Sequence, residues 1–256
     1  MSSKRYGLIG GTLSHSFSRD YFIQKFEAGS IDAEYLLFEL DDISSIHKLI
    51  ASNPSLQGLN VTIPYKKAVI PFLSWLSPEA EAIGAVNTIV VDGVKDSLIL
   101  KGYNTDAPAF ASEVRAFTGI HRGKALVLGS GGASAAAVYA LNAMGWIVQV
   151  VSRGAVAPGS VGYEELTPEV IRHYRLIVNC TPAGMYPDIK EMPPLQVEGI
   201  TADHYLFDMI YNPGVTRFMA AGLKKGARVM NGSGMLRLQA ELSWQLWLAG
   251  NAHEKQ

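Results

Sequence analysis

The sequence predicts an α/β protein of two domains, and three observations lead there. Short apolar runs alternate with helix-like segments from early in the chain, the pattern of parallel strands joined by helical crossovers. A strand, a glycine loop, a helix and a second strand follow one another across residues 125–151. The 256 residues suit one large domain or two ordinary ones, with enough chain to bury a sizeable core.

Taken in order, residues 6–9 read as a strand, 20–28 as a helix, 34–39 as a strand, 42–52 as a helix and 58–62 as a strand. Another helix opens near Tyr65. Residues 88–91 and 97–101 are short strands around Asp92-Gly93, a dipeptide that favours a tight hairpin turn, so an antiparallel edge is expected here. Thr105 or Asp106 can cap a helix running to about Phe117, and the domain boundary is placed at 103–106. Residues 125–128 form a buried-strand pattern, 133–144 an alanine-rich helix and 146–151 another strand. Residues 182–194 are proline-rich and expected as a surface loop. The last helical segment, 235–250, has an apolar surface built from Leu236, Ala240, Leu242, Leu246 and Trp247.

Composition narrows the function classes. Hydrophobic residues make up 48% and charged residues 18%, a globular rather than a disordered balance. A net charge of −1 argues against nucleic acid or an anionic membrane as the main partner. Cys180 is the single cysteine, so no internal disulfide forms and nothing points to an oxidising compartment. The basic opening Lys4-Arg5 precedes an apolar stretch broken by Gly7, Gly10 and Gly11, which does not suit a secretory signal, and no apolar run reaches the length of a membrane span. A cytoplasmic enzyme is expected. The histidines show no paired ligand spacing and Cys180 has no ligand partner nearby, so no metal site is read.

The glycine loop carries the first chemical signal. Gly129 permits a tight turn after the strand, Ser130 follows it, and Gly131 lets a pyrophosphate approach the backbone beside Gly132. The small residues Ala133 and Ser134 allow the helix to pack close to the strand, and its first N–H groups and positive dipole end suit phosphates. A Rossmann-type dinucleotide-binding domain is therefore expected. An NAD-binding site usually has an acidic residue at the end of the second strand for the ribose 2′-hydroxyl. Here the strand ends Val151-Ser152-Arg153, and a guanidinium pairs well with a 2′-phosphate, so Arg153 favours NADP.

Polar clusters fall at the ends of the predicted strands in the first hundred residues, where α/β folds build sites. They are Ser14-His15-Ser16-Phe17-Ser18, Asn60–Lys66, Gly84-Ala85-Val86-Asn87-Thr88 and Gly102-Tyr103-Asn104-Thr105-Asp106. Singly, each has a plain structural explanation: Ser18 as a helix cap, Lys66 as a solvated first-turn residue, Asp106 as an N-cap. Their joint order resembles the shikimate dehydrogenase family over nearly the whole chain. His15-Ser16-Phe17-Ser18 is similar to the family's H-S-x-S, Asn60–Lys66 to N-V-T-x-P-x-K, Gly84–Thr88 to G-A-V-N-T and Asn104–Asp106 to N-T-D. Beyond the glycine loop, Asn179–Met185 resembles N-x-T-P-x-G-M, Asp208–Pro213 resembles D-x-x-Y-x-P, and the stretch from Asn231 to Ala240 resembles N-G-x-x-M-L-x-x-Q-A.

The resemblance implies an N-terminal α/β substrate-binding domain, residues 1–104 with the C-terminal helices 235–256, a Rossmann-type NADP-binding domain, residues 105–234, and an active-site cleft between them. It implies Lys66 and Asp106 as the catalytic pair. Ser16 and Ser18 would bind the substrate carboxylate, while Thr62, Asn87, Tyr211 and Gln239 would contact the substrate ring, Asn87 through its hydroxyls. Thr181, Met209 and Gly232 would join the glycine loop around the cofactor, and His15 is read as organising its turn. The implied reaction is reversible NADPH-dependent reduction of 3-dehydroshikimate to shikimate in aromatic amino acid biosynthesis, by a monomer or homodimer. The alternatives are a quinate/shikimate dehydrogenase that uses NAD, a methylenetetrahydrofolate dehydrogenase-like enzyme, and a non-catalytic dinucleotide-binding regulator. Two departures from the family pattern stand out: Thr12 and Arg19 replace prolines, and Ser152-Arg153-Gly154 replaces the N-R-T common in NADP-dependent members.

Overall fold

A computed structural model describes residues 3–13, 16–93, 98–119, 122–153 and 159–250. The chain divides into two compact units, Met1–Thr105 with Gln239–Gln256, and Asp106–Leu238.

The first unit runs β1 (Lys4–Gly10), α1 (Phe17–Ala28), β2 (Ala33–Glu39), α2 (Ile46–Ala51), β3 (Leu56–Val61), α3 (Tyr65–Ala68), β4 (Trp75–Leu76), α4 (Pro78–Ile83), β5 (Thr88–Asp92) and β6 (Ile99–Tyr103). Its sheet has the order β2-β1-β3-β5-β6-β4. Strand β1 is parallel to β2 and β3, and β5 is antiparallel to both β3 and β6. The expected antiparallel edge is thus an interior hairpin. The edge is the two-residue β4, parallel to β6, too short for an alternation pattern to reveal.

The second unit continues with α5 (Asp106–Thr118), β7 (Lys124–Leu128), α6 (Gly132–Ala143), β8 (Ile147–Val151), β9 (Ser160–Val161), α7 (Pro168–Ile171), β10 (Leu176–Asn179), β11 (Tyr205–Asp208), α8 (Arg217–Lys224), β12 (Arg228–Asn231) and α9 (Ser233–Gly250). From Gln239 onward α9 belongs to the first unit. Every pairing in this sheet is parallel, in the order β12-β11-β10-β7-β8-β9. The chain moves outward from β7 through β8 to β9, then returns to β10 and moves the other way. The loop after β7 therefore sits at the switch point, where doubly wound sheets bind ligands.

Both faces of the first sheet are covered, and side chains alternate between them as a period of two requires. Ile9, Leu59, Val61, Ile89 and Leu100 pack with Ile46 and Ile50 of α2 on one face. Tyr6, Leu8 and Val90 pack on the other with Phe22 and Phe26 of α1 and with Ala240, Trp244 and Trp247 of α9. The Trp247 ring stacks on Tyr6 at 4.9 Å between centroids, and its indole N–H donates to the Ile89 carbonyl at 3.0 Å. Gly58 lies directly beneath this ring, where any Cβ would overlap it. The apolar pattern anticipated Ala240 and Trp247, whereas Leu242 and Leu246 are only half-buried and Trp244 takes the buried place.

Helix α1 also begins earlier than expected. Ser16 is its N-cap, accepting from the Arg19 N–H at 3.3 Å, so Ser18 is not the cap but a buried first-turn residue. The 42–52 segment splits into a 3₁₀ turn at Ile43–Ser45, capped by Asp42, followed by α2. His15 lies outside the described residues.

Candidate active site

Strand register brings the polar segments of the first unit to one end of its sheet. Ile9 pairs with Val61, Asn60 with Thr88, and Thr88 with Tyr103. The exits of β1, β3 and β6 and the entrance of β5 therefore lie side by side. Backbone hydrogen bonds stitch these segments together. The Val86 N–H donates to the Lys66 carbonyl at 2.7 Å, the Val61 N–H to the Asn87 carbonyl at 2.8 Å and the Asn87 N–H to the Tyr103 carbonyl at 3.1 Å. Asn104 adds a side-chain bond, donating to the Ala85 carbonyl at 2.9 Å. The loop after β1 is tied down too: the Leu13 N–H donates to Glu39 Oε1 at 2.6 Å and the Gly11 N–H to the Ile63 carbonyl at 3.2 Å.

Ser16, Thr62 and Lys66 are half-buried on this end, and Ser18 is buried near the Tyr35 phenol. Burial drives that phenol far above its ordinary pKa, so Tyr35 is neutral and donates to Asn60 Oδ1 at 2.8 Å. Lys66 sits in the single turn of α3, whose Tyr65 anchors inward by donating to the Leu40 carbonyl. Asp106 follows Thr105 directly, opens α5 and is buried.

Asn87 and Gln239, far apart in sequence, meet. Asn87 is 2% exposed and Gln239 7%. The Asn87 amide nitrogen donates to Thr105 Oγ1 at 2.8 Å and to Gln239 Oε1 at 3.3 Å, and its oxygen accepts the Thr105 N–H at 2.7 Å. Beneath them, Ser243 of α9 contacts Thr88 Oγ1 at 2.7 Å and Thr105 Oγ1 at 3.2 Å and accepts from the Asn60 amide at 2.9 Å. Sequence patterns offered no signal for Ser243 or Tyr35, because a serine in an apolar helix and a tyrosine in a strand read as ordinary packing.

In the second unit the glycine loop leaves β7 with Gly129 at φ +110, a left-handed conformation that suits glycine. Gly131 is the N-cap of α6, no side chain caps that helix, and a Cβ on Gly131 would meet nothing within 4 Å. The N-cap of α6 makes no side-chain bond and the space beside Gly131 is open, which fits an anionic diphosphate approaching the helix N-terminus. Ser130 is exposed, Gly132 and Ala133 are half-buried, and Ser134 is buried, donating to the Gly129 carbonyl at 2.7 Å and closing the loop.

Register places the other second-unit candidates at the same end of their sheet, since Leu128 pairs with both Val151 and Asn179, Asn179 with Asp208, and Asp208 with Asn231. Arg153 is exposed just past β8, with its charge felt by Tyr163, whose phenol burial pushes up to about 12. Asp208 accepts from the Asn179 amide at 3.0 Å, the Ile210 N–H at 3.0 Å and the Thr216 hydroxyl at 2.6 Å. Burial raises its carboxyl to about 6 against these three hydrogen bonds. Because the carboxylate only accepts, it turns the Asn179 amide so that its oxygen faces Thr181, whose N–H and hydroxyl donate to it at 3.0 and 2.7 Å. Met209 and Tyr211 are half-buried in the loop beyond β11. Gly232 is buried against the Met209 carbonyl, where any Cβ would collide. Among the described residues no His, Cys, Asp and Glu side chains cluster as a metal site, and no helix is long and apolar enough to cross a membrane.

Residues 8–89 match the sequence profile of the shikimate dehydrogenase substrate binding domain. A shikimate dehydrogenase (NADP(+)) of Carboxydothermus hydrogenoformans is 37% identical over 262 residues, covering 96% of this chain and 91% of that one. The chain belongs to the shikimate dehydrogenase family. The solved shikimate 5-dehydrogenase of Thermus thermophilus, in complex with NADP(H) and shikimate, resembles it with a TM-score of 0.82 at 32% identity, covering 96% of this chain and 94% of that one. The quinate dehydrogenase from Corynebacterium glutamicum, in complex with NAD, reaches 0.81 at 26% identity, with 96% and 94% covered.

For a shikimate dehydrogenase family member, the missed residues are as informative as the anticipated ones. Asn60 is legible in the sequence only as part of a motif, yet it is 4% exposed and its amide is bonded to Tyr35 of β2 on one side and to Ser243 of α9 on the other. Asp208 likewise is legible only as a motif letter, and its three partners show it organising the turns after β10 and β11.

Proposed function

We propose that this protein catalyses the reversible NADPH-dependent reduction of 3-dehydroshikimate to shikimate. The observation that carries the proposal is the convergence of Ser16, Thr62, Lys66 and Asn87 at one sheet end, with Gln239 bonded to Asn87 and Asp106 next in chain to Thr105. Within the first unit that set is one cation, Lys66, beside a group of uncharged donors and acceptors. It suits a polyhydroxylated ring, because each buried hydroxyl needs a partner.

On this reading Lys66 delivers the proton to the developing alkoxide and stabilises its negative charge beforehand. Asp106 hydrogen-bonds the lysine and a neighbouring substrate hydroxyl, and so orients the pair. Ser16 and Ser18 take the carboxylate, and Thr62, Asn87, Tyr211 and Gln239 take the ring. The 3.3 Å contact from the Asn87 amide nitrogen to Gln239 is longer than its 2.8 Å contact to Thr105, so a substrate hydroxyl replaces it at lower cost.

The cofactor supplies the hydride when bound. Residues Gly129 to Ser134 would hold its diphosphate, Arg153 its 2′-phosphate, and Thr181, Met209 and Gly232 would flank it. The open, uncapped start of α6 and the absence of an acid at the end of β8 support NADP. The lone cysteine and the near-neutral charge support a cytoplasmic setting.

Initial rates of shikimate oxidation with NADP, followed by NADPH absorbance, test the proposal, with NAD and quinate as controls. Turnover is expected to be fastest with shikimate and NADP. Absence of shikimate oxidation would overturn the reading, and faster quinate oxidation with NAD would replace it by the quinate one.

A further inference from the structure

We propose that Ser243 is a positioning residue for substrate binding, acting through Asn87 and Gln239. The inference rests on the reading of those two amides as substrate contacts. Ser243 is 0% exposed, in the part of α9 that packs on the first unit's sheet, and is one helical turn beyond Gln239. Its Oγ lies within hydrogen-bond distance of Asn60 Nδ2 (2.9 Å), Thr88 Oγ1 (2.7 Å), Thr105 Oγ1 (3.2 Å) and the Gln239 carbonyl (2.9 Å).

Counting protons shows why a hydroxyl is needed at this point. The Gln239 carbonyl can only accept, so Ser243 gives it its single proton. The Asn60 oxygen is taken by the Tyr35 hydroxyl, so the Asn60 amide nitrogen faces Ser243 and donates to it. One lone pair remains for Thr88 at 2.7 Å, the shortest contact of the set. Ser243 is thus the acceptor on which strands β3 and β5 both converge and the donor that ties them to the turn of α9 carrying Gln239. On its other side Thr88 lies 3.2 Å from the Asn87 oxygen, and Thr105 binds both ends of that same amide. The Ser243 hydroxyl therefore fixes the distance between the Asn87 strand end and the Gln239 helix turn, and with it the spacing at which two amides meet a substrate hydroxyl.

An alanine here removes the 2.9 Å acceptor of the Asn60 amide and the 2.7 Å partner of the Thr88 hydroxyl, leaving them contacts of 3.2–3.4 Å that run to Asn87, to Thr105 and to each other. Ser243→Ala is expected to raise the KM for shikimate roughly tenfold, the order that follows from one buried donor losing its acceptor, with kcat within about threefold and the KM for NADP unchanged. In an Asn87→Ala background the same change is expected to add no further rise in KM, because coupled residues are non-additive.

An unchanged shikimate KM in Ser243→Ala overturns the inference. So does a full independent rise in the Asn87→Ala background, or an equal loss of kcat with a rise in both KM values, which marks general destabilisation. If Asn87→Ala alone leaves the shikimate KM unaltered, the substrate-site reading itself fails and the inference falls with it. Should Ser243→Ala not fold, Thr88→Val removes the neighbouring hydroxyl at nearly constant volume. The same KM rise is expected there, and its absence counts against the proposal.

Discussion

The backbone N–H of Thr105 donates to Oδ1 of Asn87 at 2.7 Å, and this bond decides which way the Asn87 amide faces. An N–H cannot accept, so the oxygen must point at Thr105 and the nitrogen at Gln239. Asn87→Asp keeps the first contact but sets a carboxylate oxygen against Gln239 Oε1. The shikimate KM is expected to rise by about tenfold or more, the range for a lost donor that leaves an acceptor unpaired. Steady-state kinetics at saturating NADP reads the effect, and an unaltered KM counts against Asn87 as a substrate contact.

Lys66→Ala is expected to lower kcat by roughly 10²–10⁴-fold, the usual range for a positioned acid or base, with a modest change in shikimate affinity. Single-turnover rates alongside equilibrium substrate titration separate the two quantities. Near-normal turnover would refute the assignment.

Arg153 is exposed at the end of β8, where a 2′-phosphate has no acidic residue to repel it. Arg153→Ala is expected to raise the KM for NADP about tenfold or more, by loss of a charge-assisted pair, while the KM for NAD stays as it was. Equal loss with both cofactors would show that the guanidinium does not read the phosphate.

Gly58→Ala forces a methyl into the Trp247 ring, between two fully packed layers. A loss of about 1–3 kcal/mol is expected for overpacking of this kind, together with weakening of the bond from the indole to Ile89. Denaturant unfolding of the two proteins measures it. A midpoint equal to that of the unmodified chain would mean that the ring has room to move aside.

Asp208 ties stability to pH. Burial lifts its folded pKa to about 6 from an ordinary value near 4, so the folded protein holds a proton that the unfolded chain releases between those limits. Its contribution is fully present below about pH 4 and is lost as pH rises through about 6, at most about 3 kcal/mol in all. Unfolding midpoints of the unmodified protein, compared with Asp208→Asn across pH 4 to 7, should converge or cross with that slope. Parallel curves would show that Asp208 titrates as an ordinary exposed carboxylate.

Much of the architecture was legible because it depends on neighbours in sequence. The runs at β1, β2, β3, β7 and β8 are apolar enough to mark strands, and Gly129 to Gly131 separates strand from helix with glycines that reach backbone conformations closed to other residues. The polar clusters around Ser16, Thr62, Asn87 and Thr105 were visible as strand ends for the same reason. The two-residue β4 was not visible, because two residues carry no period. Ser16 rather than Ser18 caps α1 because the choice between two serines depends on where the helix can start against the sheet.

Local sequence suffices for the alternation of strand and helix, the glycine loop and the identity of the polar segments. Folding in three dimensions was needed to bring Asn87 and Gln239 together across 152 positions of chain, to set Ser243 and Asn60 beneath them, and to let Asp208 turn the Asn179 amide toward Thr181. The physical reason is the reach of each interaction. Hydrophobic periodicity and turn chemistry are set within a few residues. A buried hydrogen bond takes its partner from whatever the sheet register and helix packing bring within about 3.5 Å, and no local pattern records that choice.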